Sequence, residues 1–134
     1  MADNYDDLQQ SYGRCLRNKE FIARFYEIFL ASHPAIPPLF ERTDFSKQRL
    51  ALRRGISVAI SFAAGSGIVA RTTEHMARVH SRDGRTPVTP GLYPYWIDSL
   101  IRAITENDPE ITETLIARWR EAMGRVCDHF IGCY

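Results

Sequence analysis

The chain has 134 residues, of which 45% are hydrophobic and 25% charged, and its formal net charge is +1. That length favours one domain around one core, residues 1–134. A near-neutral balance without a recognition-helix pattern argues against a nucleic-acid partner, and no apolar run reaches the roughly 18 residues that a membrane span needs. The opening Met1-Ala2-Asp3-Asn4-Tyr5-Asp6-Asp7 is acidic and polar, unlike a signal peptide. Three cysteines, Cys15, Cys127 and Cys133, show no CxxC spacing. A disulfide framework or zinc site is therefore not expected, and a reducing cytoplasm is the expected location.

Apolar spacing is helical almost throughout. Residues 5–16 predict a short first helix with Leu8, Tyr12, Cys15 and Leu16 on one face. From about Lys19 a second helix follows, carrying Phe21, Ile22, Phe25, Ile28 and Phe29. Ser32-His33-Pro34 ends it, because proline disfavours helical backbone at the residue before it. Pro37-Pro38 then forces a corner that delivers Leu39 and Phe40. Thr43 reads as an N-cap with Asp44 in the first turn of a helix over 44–63. Phe45, Gln48, Leu52, Ile56 and Ile60 share one face of that helix, and Arg49, Arg53 and Arg54 lie mostly elsewhere.

Gly65-Ser66-Gly67 breaks the pattern, and a further helix spans about 69–80. Residues 81–89 are a polar loop containing Gly84 and Pro87. Thr89-Pro90 reads as an N-cap followed by proline in the first helical position, opening a helix with Leu92, Tyr93, Trp96, Ile97, Leu100, Ile101 and Ile104. Asp108-Pro109 gives the same start signal for a last helix through Ile111, Leu115, Trp119, Met123, Val126 and Phe130. No segment reads as a good strand. The expectation is an all-α fold of six or seven helices with short connections, and periodicity alone goes no further.

The order of certain residues adds more. Phe25-Tyr26 resembles the Phe-Tyr pair common in flavohaemoglobins and single-domain bacterial globins. Phe40 resembles the phenylalanine at the corner before the distal helix, and Phe40-Glu41-Arg42-Thr43-Asp44-Phe45 is similar to the F-x-x-T-[DN]-[MF] segment of truncated and sensor globins. Gln48 falls at the distal position, with Leu52 one turn deeper. Val79-His80 resembles the proximal segment, Pro90-Gly91-Leu92-Tyr93 the P-E-x-Y helix start, and Trp119 the tryptophan of the final helix. The run from about residue 10 to residue 134 thus resembles a bacterial globin, a helical fold around a haem pocket. The loop after His80 is longer than in flavohaemoglobins. The final helix ends before the position of their proximal glutamate, and no flavin or nicotinamide segment follows in these residues.

The resemblance implies haem b as cofactor and His80 as the iron ligand. Neutral imidazole suits iron and leaves the opposite face open to a diatomic gas. Its second ring nitrogen then needs an acceptor, for which a carbonyl near Met76 or the Tyr93 hydroxyl is the expectation. His75 lies about 140° around the helix from His80, so it reads as a surface residue or a neighbour of a propionate. A dioxygen ligand carries partial negative charge, so Tyr26 and Gln48 are the expected donors to it and Leu52 the residue that sets pocket size. Phe40, Phe45, Met76, Tyr93 and Ile97 are expected against the haem, alongside Phe25, Phe29, Ile56, Val88 and Phe130 in the apolar wall. Arg49, with Arg78, Arg82 and Arg85, is a candidate partner for the propionates.

The leading reading is a globin that reversibly binds dioxygen, and nitric oxide or carbon monoxide, with no catalytic residue assigned. Nitric oxide dioxygenation with a separate reductase is the enzymatic alternative. A gas or redox sensor, or an interaction module on the same fold, is the third. Monomer and homodimer both remain open at this stage.

Overall fold

A computed structural model describes residues 3–134, so Met1 and Ala2, which begin the polar opening, lie outside the described residues. Six α-helices follow in order: α1 Asp6–Leu16, α2 Phe21–Ser32, α3 Phe45–Ala63, α4 Ala70–Val79, α5 Tyr93–Asn107 and α6 Glu113–Gly132. Three short 3-10 turns, Pro37–Phe40, Gly67–Val69 and Pro90–Leu92, join them, and the described residues contain no strand. The expected all-α architecture is what forms. Among the described residues no helix is long and apolar enough to cross a membrane.

The apolar faces account for the packing. Leu8, Tyr12 and Cys15 are buried on α1, and Phe21, Ile22, Phe25, Ile28 and Phe29 on α2. Helix α2 packs along α5 and α3 along α6, while α5 also meets α6, so the pairs share one core. Trp119, Phe21, Phe25, Ile56, Ile60, Leu100, Ile104 and Met123 are wholly enclosed there. Burying each such side chain contributes about 1.5–3 kcal/mol before entropy is counted.

Several helix starts differ from the sequence expectation. Asp44, not Thr43, caps α3: its carboxylate accepts from the Ser46 N–H at 3.0 Å. Thr89 precedes a 3-10 turn and makes no side-chain cap, so α5 itself begins three residues past Pro90, at Tyr93. The largest difference is at α6. Thr112 is its N-cap, accepting from the Leu115 N–H at 3.1 Å. Asp108 is instead buried, and takes the Ser11 hydroxyl at 2.7 Å and the Arg14 Nε at 2.6 Å. A carboxylate that caps in an exposed turn has been drawn into a tertiary contact with α1. Trp119 Nε1 donates to the same Ser11 hydroxyl at 3.1 Å, which completes the network.

Candidate functional site

His80 is the C-cap of α4, and its backbone N–H donates to the Met76 carbonyl. Its side chain is half-buried, with the ring 5.8 Å from that of Phe130, which in turn lies 6.2 Å from Tyr93. The Nδ1 atom is 3.2 Å from the Thr86 carbonyl oxygen. A carbonyl can only accept, so the hydrogen bond requires the proton on Nδ1 and leaves the Nε2 lone pair free. Nε2 has no hydrogen-bond partner among the described residues. Burial pushes the His80 pKa below its ordinary value, against the smaller upward pull of the Thr86 carbonyl, which favours the neutral ring.

The acceptor is neither of the two expected from sequence, a carbonyl near Met76 or the Tyr93 hydroxyl. It comes from the polar loop 81–89, which folds back onto the end of α4. The Thr86 N–H donates to the Val79 carbonyl at 2.9 Å and the Val88 N–H to the His80 carbonyl at 3.1 Å. Gly84 makes the turn possible: a Cβ there would lie 2.1 Å from the Arg78 carbonyl oxygen. This loop thus supplies the hydrogen bond to the imidazole.

Tyr26 and Gln48 meet on the other candidate face. The Gln48 side-chain amide donates to the Tyr26 hydroxyl oxygen at 3.1 Å. The phenol therefore receives one hydrogen bond and keeps its own proton, for which the described residues provide no acceptor. Burial pushes the Tyr26 pKa up to about 12, against weaker downward pulls from the Gln48 bond and the Arg49 charge. At neutral pH the group is an intact O–H donor in a dry setting. Tyr26 meets two rings edge-on, Phe45 at 5.4 Å and Phe40 at 5.8 Å, which stack on each other.

Leu52, Met76, Ile97, Val88 and Trp96 are half-buried and packed against the core, as are Phe40 and Phe45. Met76 reaches across to α3, where its methyl would sit 3.6 Å from a Cβ at Gly55. Phe25, Phe29, Ile56 and Phe130 are buried outright. Arg49 is exposed and lines an outer groove of about 450 Å³ with Lys19, Ser46 and Arg53. Arg78 and Arg85 are exposed, and Arg82 lies over the Tyr134 ring at 5.0 Å. His75 is exposed. The donor set fits a haem: a neutral imidazole with a free Nε2, a buried phenol with a free proton, and a series of incompletely buried apolar side chains.

No protein-family model matches the chain. Across 114 residues, 84% of its length, it is 30% identical to flavohemoproteins of Bacillus cereus (strain ATCC 10987 / NRS 248) and Bacillus thuringiensis subsp. konkukian (strain 97-27). It spans about a quarter, 27%, of the length of these curated relatives. A crystal structure from Pseudomonas aeruginosa PAO1, described as structurally highly homologous to a human hemoglobin, superposes with a TM-score of 0.92. Sequence identity to that protein is 33%, and the match covers 98% of both chains. The chain belongs to the bacterial globins. Within this globin the Thr86 carbonyl and Gly84 are the site features that residue types alone do not announce, since any residue can offer a backbone carbonyl. The one signal in the sequence is a polar, glycine-containing loop beside a histidine.

Proposed function

We propose that this globin binds haem b through His80 Nε2 and holds dioxygen, nitric oxide or carbon monoxide reversibly beside Tyr26 and Gln48, residues 1–134 acting as one globin domain. Haem held by His80 would supply an iron able to bind a diatomic gas. The chain's residues do the rest. The Thr86 carbonyl fixes the ring plane of His80 and raises the basicity of Nε2 by accepting a hydrogen bond from Nδ1–H. Gln48 fixes the Tyr26 hydroxyl by donating to its oxygen, which aims the phenol proton toward the gas. Leu52 limits the room beside them, and Phe40, Phe45, Met76, Tyr93 and Ile97 exclude water around the macrocycle. Arg49 would pair with a propionate, and at an exposed site the gain is small. Three cysteines without disulfides suit a reducing cytoplasm.

The observation that carries this reading is the hydrogen bond from His80 Nδ1 to Thr86, because it leaves the correct nitrogen free. Likeness to flavohemoproteins favours a second reading, nitric oxide dioxygenation fed by a separate reductase. One experiment separates the two. The haem-loaded chain is reduced, and its absorption is followed on exposure to carbon monoxide and then air. Reversible shifts of the haem bands are expected, and an unresponsive spectrum contradicts both readings. With reductant and dioxygen supplied, sustained nitric oxide consumption marks the second reading, and a single turnover leaves the first.

A further inference from the structure

We propose that Glu74, His129 and Cys133 form a binding site for a zinc-class divalent cation between α4 and the end of α6. His129 and Cys133 stand one helical turn apart, at the last turn and C-cap of α6, and Glu74 faces them from α4. One ligand atom from each, a carboxylate oxygen, an imidazole nitrogen and a thiol sulfur, lies within 4.8 Å of the other two. A tetrahedral zinc ion with bonds of about 2.0–2.3 Å sets its donors about 3.3–3.8 Å apart. Closure by about an ångström is within the rotamer freedom of Glu74 and Cys133, which are both exposed.

The site is already half assembled. His129 Nε2 is enclosed and lies 2.9 Å from Glu74 Oε1, so an imidazole nitrogen and a carboxylate oxygen converge on one spot. Opening that pair to about 3.3 Å admits a cation to which both are ligands. The Phe62 ring, 5.1 Å from that of His129, packs against the imidazole and limits its alternatives.

The donor set also selects the metal. Thiolate and imidazole favour zinc and its neighbours over magnesium or calcium, which take oxygen donors. Binding releases the Cys133 thiol proton, and three protein ligands leave a fourth position for water. The cluster is distinct from the His80 site, yet Glu74 belongs to the helix that His80 caps. A bound ion would clasp that helix to α6, next to the contact that Arg82 already makes with Tyr134.

Zinc chloride titrated calorimetrically into the purified full chain, with thiols kept reduced, tests this. One equivalent per chain is expected. Cys133→Ser and His129→Gln should each weaken binding by more than about 100-fold, beyond the loss typical of an outer-shell change, with helical circular dichroism preserved. Cobalt bound to the unmodified chain should show a sulfur-to-metal charge-transfer band, which requires no variant. No saturable zinc binding, variants that bind like the unmodified chain, or cobalt bound without that band would each overturn the proposal.

Discussion

Tyr26 and Gln48 divide their work by hydrogen-bond direction. The amide nitrogen has two protons and gives one to the phenol oxygen, so the phenol keeps its own proton to give. Tyr26→Phe should therefore remove the phenol donor. For one buried bond of about 1.5 kcal/mol, dioxygen release should accelerate roughly tenfold. Stopped-flow measurement of the dissociation rate checks this, and an unchanged rate would show that the phenol does not reach the gas. The sequence alone singles out Tyr26, Gln48, Leu52 and His80 as candidates, because they are distinctive types in a distinctive order. It names Tyr26 and Gln48 as two donors, and the hydrogen bond from one to the other is what only the structure adds.

At the scale of elements, loop 81–89 does more than connect α4 to α5. Its backbone holds the His80 ring at Thr86, and its turn closes against the Arg78 and Val79 carbonyls where only hydrogen fits at Gly84. Gly84→Ala forces a methyl into backbone, which neither a rotamer change nor a flexible neighbour can relieve. The expected cost is about 1–3 kcal/mol in urea unfolding, with faster haem loss as the Thr86 carbonyl moves off Nδ1. Retention of unmodified stability and haem affinity would show that the loop does not position the histidine. Helix interiors were predictable here because periodicity records which face is buried. Helix starts were less predictable, because Asp and Thr side chains cap only when no stronger tertiary partner claims them, as Ser11 and Arg14 claim Asp108.

For the whole molecule, Asp108 is the charge most committed to the fold. Burial pushes its pKa up, but the bonds from Arg14, Ser11 and the Glu110 N–H outweigh this and hold it at about 2, against an ordinary 3.8. The folded pKa is depressed, so the stabilisation is fully present above about pH 4 and is lost as pH falls toward 2. Its size is about 2 kcal/mol. Urea unfolding between pH 6 and pH 2.5 should show that loss in the unmodified chain. Asp108→Asn should start less stable and lack this part of the acid dependence; an identical acid profile would contradict the assignment. At this scale the fold class was readable from period and residue order together. The α1–α5–α6 polar network was not, since its members are far apart in the chain and carry no shared spacing.

Iron ligation by His80 is tested by haem retention in His80→Ala. The unmodified chain should bind one haem, with a five-coordinate ferrous spectrum, and the variant should lose it on gel filtration unless imidazole is added. A variant that keeps stoichiometric haem with an unaltered spectrum would contradict axial ligation by His80.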